Sequence, residues 1–470
     1  MPTYTVTTDV TLDKIAAPNL PLAPDQWDRR YQDQYSNVLR LYFNRLDSFL
    51  GKLMTTITAT GTPTDPIYTA FSDGEVDAFG RLRVGNPYTL FDSQARYAND
   101  SSFDTSTASG GTATFNTNQS STAMTVTTTS GSQVVRQSYR YFPYQPGKSL
   151  LIFTTFCMGA PKANLSQRVG YFDANNGIFL SQDGTTVNMN LRTSTSGAPV
   201  TTSIPQSSWN VDQMDGRGPS KLTLDLTKTQ IFYVDLEWLG VGIVRTGFVI
   251  GGKYINCHTF YNANTTNTTV YMTTAILPVR YEILNTGTTA SSSTLTQICA
   301  SVISEGGYEQ SSQTYWVRNA TPISVPTTNL FVPMASIRLN SSHLGAVVLP
   351  NQFSVLPLTS ANYEVAVVRN VGLTGASWVT GTFQDVDYDV SATAFTSQPS
   401  GNQICQIDYV TTTAQSSTNA LVAVGYKWDL QLGVSLAGAS DVLTLAIRSI
   451  GASGVANSAV GAFGFYDLTL

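Results

Sequence analysis

Two patterns of apolar positions divide the chain. In residues 24–53, apolar side chains recur every three or four positions, which is the spacing of one face of an α-helix. Over most of the remaining sequence, short β-branched and aromatic runs alternate with Thr, Ser and Asn, a pattern typical of half-buried strands. The sequence therefore predicts a mainly β protein with one long N-terminal α-helix.

The predicted helix begins after Asp25, a residue type that often caps helix N-termini, and ends near Gly51. Its apolar side chains form one stripe, at Tyr31, Tyr35, Val38, Tyr42, Leu46, Phe49 and Leu53. A stripe this long is rarely left in contact with water. Packing against the chain's own β region and contact with another chain both stay open. We predict that the stripe is the oligomer contact of a homotrimer.

Turn signals interrupt the alternating segments at short intervals, for example Asn176-Gly177 and Asp183-Gly184. Antiparallel strands joined in this way form sandwiches of Greek-key or jelly-roll type. The order of strands and turns also resembles the concanavalin-type lectin jelly roll. We predict a strand, helix and linker over residues 1–70, a large β-sandwich domain over 71–310 and a second β-sandwich domain over 311–470.

Composition excludes several classes of function. Charged residues make up 12% of the chain and the formal net charge is −5, so no basic surface for nucleic acid is expected. No run approaches the ~18 consecutive apolar residues of a membrane span. The N-terminal residues do not have the layout of an export signal. We expect no nucleic-acid partner, no membrane span and no export by that route.

Residue types that hold metals or cofactors are scarce. Four cysteines, Cys157, Cys257, Cys299 and Cys405, lie far apart and are predicted to be buried free thiols. The two histidines, His258 and His343, are predicted to be structural. No phosphate-loop or metal-binding motif occurs, and we therefore predict no cofactor and no metal.

Asp235 and Glu237 are the best candidates for catalysis. Strand alternation places both carboxylates and Tyr233 on one face of a strand, opposite the predicted core residues Phe232, Val234, Leu236 and Trp238. Glycoside cleavage uses two carboxyl groups about 5–9.5 Å apart. Such pairs occur more often as solvated or ion-paired side chains of a sheet face, so we predict that the protein is not an enzyme.

A second set of carboxylates, Asp385, Asp387 and Asp389, shares one face of another predicted strand. Carboxylate oxygens suit Ca²⁺, but the glycine and the distal glutamate of an EF-hand loop are missing. We therefore expect these aspartates to line a solvated strand face.

Five segments are distinctive in their amino-acid sequence and in their order along the chain. They are QWDRRYQDQYSNVLRLYFNRLDSFL, DAFGRLRVGNPYTLFDSQARY, FDTSTASGGTATF, VVRQSYRYFPYQPGKSLL, and RVGYFD followed by GIFL. As a set they resemble virion structural proteins of tailed bacteriophages, cyanobacterial ones in particular, and the first resembles the N-terminal helical module of those proteins. The resemblance covers roughly residues 20–310. It implies a structural, non-enzymatic role and defines no functional residues.

The resemblance implies a virion component that assembles in the host cytoplasm and attaches to other virion proteins through its helix. We favour a tail-associated fiber or adhesin over a capsid decoration or a baseplate or adaptor protein. Two other classes stay open: a polysaccharide-degrading tailspike enzyme, which needs Asp235 and Glu237 in a groove, and a free lectin-like module.

The host surface implied by the resemblance is coated with polysaccharide. Aromatic residues near predicted turns offer flat apolar faces to sugar rings, and Ser, Thr and Asn offer neutral hydrogen-bonding groups. The aromatic candidates are Tyr144, Tyr171, Trp209 and Tyr254. We predict glycan binding by residues 100–310 without cleavage.

Overall fold

The computed structural model describes residues 32–43, 77, 86–265, 267–309, 312–411, 420–423, 428–451 and 457–469. The chain divides into two compact units, Met1–Phe71 and Ser72–Leu470. The mainly β class with several antiparallel sheets is confirmed, because the strands that the structure describes in the second unit pair antiparallel. No helix in the described part of the chain is long and apolar enough to cross a membrane.

In the first unit, residues 32–43 form a helix. The long helix predicted over residues 24–53 is supported only for these twelve positions, and the rest of it lies outside the described residues. Three stripe residues, Tyr35, Val38 and Tyr42, are half-buried. The other four, Tyr31, Leu46, Phe49 and Leu53, lie outside the described residues, so the oligomer contact stays a prediction.

Two sheets pack face to face to form the first sandwich. Its strands are β1 (Tyr88–Gln94), β2 (Phe103–Ala108), β3 (Thr112–Asn116), β4 (Ser121–Val126), β5 (Gln133–Ser138), β6 (Ser149–Cys157), β7 (Leu165–Phe172), β8 (Gly177–Asp183), β9 (Thr186–Thr193), β10 (Val200–Pro205), β11 (Gln230–Leu236), β12 (Val244–Ile250), β13 (Lys253–Phe260), β14 (Val279–Asn285) and β15 (Ser293–Glu305). Short 3₁₀ helices occupy Thr117–Gln119 and Gln206–Ser208.

Among the described residues, the larger sheet has eight strands in the order β13-β12-β11-β6-β15-β4-β3, with β1 also paired to β15. The smaller sheet has seven strands in the order β10-β9-β8-β7-β14-β5-β2. The core between them uses alternate residues of each strand. On β11, the predicted core residues Phe232, Val234 and Leu236 belong to the core cluster whereas Tyr233 and Asp235 do not, which confirms the strand register. Trp238 was predicted to be a core residue, but it follows the end of β11 and is only half-buried against the core, with its indole N–H donating to the Met272 carbonyl at 3.1 Å.

The hairpins of the smaller sheet follow from local turn chemistry. Asp173 Oδ1 accepts the backbone N–H groups of Asn175 and Asn176, each at 2.7 Å, which closes the turn between β7 and β8. Gly177 then has φ 141°, and a Cβ there would lie 2.1 Å from the Phe172 Cβ, so only glycine fits. The predicted turn at Asn176-Gly177 is thus present.

The second sandwich begins after residue 313. Its strands are β16 (Thr314–Arg318), β17 (Ile323–Val325), β18 (Val332–Leu339), β19 (Val348–Pro357), β20 (Asn362–Arg369), β21 (Leu373–Thr374), β22 (Val386–Asp389), β23 (Ala394–Phe395), β24 (Ile404–Thr411), β25 (Ala420–Ala423), β26 (Val442–Ile450) and β27 (Asn457–Asp467), with a 3₁₀ helix at Trp428–Leu430. Among its described residues, two five-stranded sheets enclose the core, in the orders β16-β27-β19-β25, with β17 also paired to β27, and β22-β18-β26-β20-β24. A small sheet joins β21 to β23.

A junction segment, residues 428–441, contacts the first sandwich. The indole N–H of Trp428 donates to the Tyr88 hydroxyl at 2.7 Å, and the ring centroids of Trp428 and Tyr308 are 5.1 Å apart. The amide group of Gln431 donates to the Tyr141 carbonyl at 2.7 Å. Trp428 packs against an aromatic ring of the first sandwich, and Gln431 donates a hydrogen bond to its backbone. The segment therefore holds the two sandwiches together.

Candidate functional site

The outer face of the larger sheet in the first sandwich carries the predicted carboxylates. Asp235 on β11 lies opposite Arg245 on β12, and Asp235 Oδ2 is 2.9 Å from Arg245 Nη2. The other oxygen, Oδ1, accepts the Ser149 hydroxyl at 2.5 Å from the neighbouring strand β6. Only 1% of Asp235 is exposed. Of the two expected environments, solvated or ion-paired, Asp235 has the ion-paired one, because side chains of β6 and β12 enclose it.

Glu237 lies just beyond β11 on the same face. Its carboxylate accepts the hydroxyl of Tyr144, and only 1% of the residue is exposed. Burial, followed by this hydrogen bond and the charge of Glu237, raises the pKa of the Tyr144 hydroxyl well above its usual value. The fold thus places Asp235 and Glu237 on one face, as predicted, but each carboxylate is engaged by another side chain.

A groove lies further along the same outer face and has a volume of about 480 Å³. We call it the sheet groove. Six strands contribute to it: β1, β6, β11, β12, β13 and β15. Its lining residues are Asp92, Ser93, Gln94, Phe153, Thr155, Ile231, Val249, Tyr254, Cys299, Ala300 and Ser301.

Aromatic and aliphatic side chains form the floor of the sheet groove. The ring centroids of Phe153 and Tyr254 are 6.1 Å apart, with an angle of 53° between the ring planes. Tyr254 also contacts the ring of Tyr233 edge to face at 5.2 Å, which supports it from the side. Ile231 is 38% exposed, a large fraction for an aliphatic residue in the middle of a sheet. These side chains give a half-exposed apolar floor built on strands.

Polar groups border this floor on the β1 side. Asp92 and Gln94 are exposed, and the half-buried hydroxyl residues Thr155 and Ser301 lie on β6 and β15. The described lining contains no lysine, arginine or histidine. The sheet groove therefore combines apolar faces with hydroxyl, amide and carboxylate groups, and its one charged lining group is the carboxylate of Asp92.

The aromatic candidates from the sequence have different environments. Tyr254 lines the sheet groove, whereas Tyr171 and Trp209 are buried. Tyr144 is half-buried beside Glu237. Sequence reasoning missed Phe153. The signal was available, because Phe153 alternates with Ile152 and Phe156 of the core along β6 and so belongs to the outer face.

The three aspartates around β22 are not on a solvated face, which corrects that expectation. Asp387 is 3.3 Å from Arg338 Nη2, and Asp389 Oδ1 accepts the Ser391 hydroxyl at 2.5 Å. Asp385 Oδ1 is 2.7 Å from His343 Nδ1. Each aspartate is at most 2% exposed. Partners from β18 and from the adjoining loops cover this strand face.

The prediction of four buried free cysteines is confirmed only in part. All four cysteines are free, but Cys257 is buried whereas the other three are half-buried. His258 is buried, and its Nδ1 accepts the backbone N–H of Asn210 at 3.3 Å. No group of three or more His, Cys, Asp or Glu side chains that could hold a metal ion occurs among the described residues.

No protein-family model matches the chain, and no curated protein sequence matches it. Among solved structures, the Emp47p carbohydrate recognition domain is similar at 10% identity with a TM-score of 0.30, covering 46% of this chain and 96% of that one. The Bacillus licheniformis β-glucanase is similar at 10% identity and a TM-score of 0.29, covering 47% of this chain and 98% of that one. A legume lectin-like domain from Entamoeba histolytica is similar at 10% identity with a TM-score of 0.27, covering 45% of this chain and 91% of that one. At these values the likenesses say nothing about a ligand or an activity of this chain.

Proposed function

We propose that the protein is a structural component of a tailed bacteriophage virion, specifically a tail-associated fiber or adhesin. In this proposal, it binds a polysaccharide of the host surface in the sheet groove and does not cleave it. The virion assignment comes from the sequence resemblance over roughly residues 20–310. The binding assignment rests on one structural observation, the half-exposed aromatic floor of the sheet groove with its polar border.

The shape and chemistry of the groove suit a sugar chain. Its volume of about 480 Å³ is within the usual range of small-ligand sites, about 300–1,000 Å³. The rings of Phe153 and Tyr254 offer apolar faces to the C–H faces of sugars, and Asp92, Gln94 and Ser301 offer hydrogen-bonding groups to hydroxyls. A groove on a sheet face is also open at the surface, so a long polymer can pass along it.

The positions of the two carboxylates support binding without cleavage. Glycoside cleavage needs two carboxyl groups that both reach the scissile bond. Asp235 is paired with Arg245 and Glu237 accepts the Tyr144 hydroxyl, and neither lines the sheet groove. A substrate would have to displace these partners from a buried site before either carboxylate could act. We therefore assign Asp235 and Glu237 to the stability of the fold.

The proposal includes a homotrimer joined through the N-terminal stripe, with other virion proteins contacting the same region. Three weak sites on one particle component would bind a polymer far more tightly than one site does. Replacing Val38, a half-buried stripe residue, with Asp should produce monomers in light scattering while the β sandwiches stay folded. Leu41→Asp, at a 60% exposed position of the same helix, is the matched control. A trimer that survives Val38→Asp would contradict this part of the proposal.

Binding is tested with purified envelope polysaccharide of a cyanobacterial host and with a panel of neutral glycans. The wild type should bind at least one of them, and Phe153→Ala should weaken that binding roughly tenfold or more, because a central aromatic anchor is lost. Tyr409→Ala removes a 66% exposed aromatic side chain from the second sandwich and should change nothing. Absence of wild-type binding, or equal losses in both variants, would overturn the glycan assignment. Labelling this chain on negatively stained virions tests the tail location separately.

A further inference from the structure

A second cavity lies between the two sandwiches and has a volume of about 670 Å³. We call it the junction cleft. One wall comes from loops of the first sandwich, including Asn175, Asn176 and Thr273. The opposite wall comes from loops of the second sandwich, including Ser341, Ser342 and His343. Neither the sequence patterns nor the proposed glycan groove account for this cavity.

Hydrogen bonds hold the first wall in place. Asn176 is 4% exposed, and its Oδ1 accepts the Thr273 hydroxyl at 2.9 Å. The same oxygen accepts the backbone N–H of Ser194 at 3.2 Å, while the Asn176 side-chain amide donates to the Ser194 hydroxyl at 3.3 Å. One buried asparagine therefore connects three loops, those after β7, after β9 and before β14, into a single wall.

The second wall is fixed by His343 and its neighbours. His343 Nδ1 is 2.7 Å from Asp385 Oδ1, and Asp385 is 2% exposed. The backbone N–H of Ala346 donates to the His343 carbonyl at 3.0 Å, which closes the loop around the ring. This loop lies between β18 and β19, so the wall is anchored on two core strands.

The distance between the walls is also fixed. Tyr141 lines the cleft, and its carbonyl accepts the side-chain amide of Gln431 from the junction segment at 2.7 Å. Trp428 of the same segment bonds the Tyr88 hydroxyl at 2.7 Å. The junction cleft is thus preformed, and a ligand entering it would not have to order the walls first.

The chemistry of the lining defines the ligand. Hydroxyl and amide side chains dominate it, and the described lining contains no lysine or arginine. The acidic lining residues are Asp173 and Asp385. Carboxylates, amides and hydroxyls all bind sugar or polyol hydroxyls. Asp173 and Asp385 disfavour uronates, sulfates and phosphates, because the described lining has no arginine or lysine and its histidine, His343, is already engaged by Asp385.

We propose that the junction cleft is a second binding site that takes a short neutral saccharide and excludes anionic ones. The inference does not depend on the sheet groove, since the two sites share no lining residue. A virion adhesin with both sites would contact a surface polysaccharide along a chain in the sheet groove and at a short saccharide unit in the cleft.

The test is a calorimetric titration of the full chain with neutral mono- to tetrasaccharides and with the corresponding uronates. Ser342→Trp fills the cleft from an exposed position, and Asn175→Trp fills it from the opposite wall. Each should weaken the binding of a neutral saccharide roughly tenfold or more. Ser196→Trp, exposed and outside the lining, should bind as the wild type does. Tyr254→Ala, which disables the sheet groove, should keep a neutral-saccharide binding event that Ser342→Trp weakens, so the two variants separate the two sites.

Several results would overturn the inference. One is an absence of wild-type binding to every neutral saccharide in the set. A second is wild-type affinity for neutral saccharides in Ser342→Trp or Asn175→Trp, counted only for a variant whose unfolding midpoint equals that of the wild type. A third is uronate affinity equal to that for neutral saccharides. If Tyr254→Ala abolishes all binding, the sheet groove is the only site, which supports the proposed function and rejects the cleft.

Discussion

The two ends of one strand face in the first sandwich have opposite environments. Ile231 near the start of β11 is 38% exposed and lines the sheet groove, whereas Asp235 and Glu237 at the other end are each 1% exposed. All three positions follow the same alternation on the strand. The difference comes from neighbours, because Arg245, Ser149 and Tyr144 enclose the acidic end. The carboxylates that suggest catalysis are therefore enclosed by other side chains, and the accessible side chains of this face lie at the apolar end.

The largest expected effect is at the acidic end. Asp235→Ala should lower the free energy of unfolding by about 3–5 kcal/mol, because the buried guanidinium of Arg245 loses this partner. Asp92→Ala, at an exposed position of the groove, should cost less than about 0.5 kcal/mol. Urea denaturation of the two variants measures the contrast. Similar small losses in both would mean that the acidic end is not needed for the fold.

The groove end should show the reverse behaviour. Ile231→Asp places a charge on the apolar floor and should weaken glycan binding roughly tenfold or more, with a stability loss below about 1 kcal/mol. Ile407→Asp changes an isoleucine of the second sandwich that is 45% exposed and is the matched control. If Ile231→Asp binds glycans as tightly as Ile407→Asp does, the sheet groove is not the binding surface.

Buried polar groups should also make the free energy of unfolding depend on pH, whereas accessible ones should not. Burial lowers the pKa of His258 to about 4, and its Nδ1 accepts a backbone N–H only while that nitrogen is unprotonated. Because an unfolded histidine titrates near pH 6.5, the stability due to neutral His258 is complete above that pH and is lost as the pH falls towards 4. The loss should be about 1–2 kcal/mol after solvent screening. Unfolding free energies of wild type and His258→Gln between pH 7 and 4 measure it, and parallel curves would contradict it.

Asp467 in the second sandwich should respond in the opposite direction. Burial raises its pKa to about 6, the charge of Asp385 adds to the rise, and the Thr469 N–H opposes it. The folded state therefore binds this proton more tightly than the unfolded chain, and stability falls as the pH rises from about 4 to 6. Asp467→Asn should remove this dependence and be about 1 kcal/mol more stable than wild type at pH 8. Asp215→Asn, at an exposed position, is the control, and equal pH profiles in both variants would contradict the assignment.

The sequence predicted what depends on local chemistry. The hairpin turn at Asn176-Gly177 follows from Asx-turn geometry and a glycine requirement, and the core register of β11 follows from alternation. It did not predict which outer faces are covered. The partner of Asp387 is Arg338, 49 positions away, and the partner of Glu237 is Tyr144, 93 positions away. Such pairs depend on strand order in the sheets, which one sequence does not determine.

Only part of the sheet groove is predictable from the sequence, again because the sequence does not determine the order of strands in the sheet. Tyr254 is a candidate because it lies near a predicted turn, and Gly251 and Gly252 form that turn between β12 and β13. Phe153 and Asp92 were not candidates, because β6 and β1 approach each other only through β15, which pairs with both. The groove exists because four segments far apart in sequence, β1, β6, β11–β13 and β15, lie side by side in one sheet.

The central claim is that the apolar end of this face binds the polysaccharide and the acidic end holds the fold. The most direct measurement combines polysaccharide binding with a reducing-end assay on wild type, Tyr254→Ala and Glu237→Gln, after their unfolding midpoints have been compared. The account predicts that Glu237→Gln binds as wild type does, that Tyr254→Ala loses roughly tenfold or more in affinity, and that no protein releases reducing ends. Reducing ends released by wild type and abolished in folded Glu237→Gln would show that the acidic end is an active site and contradict the claim.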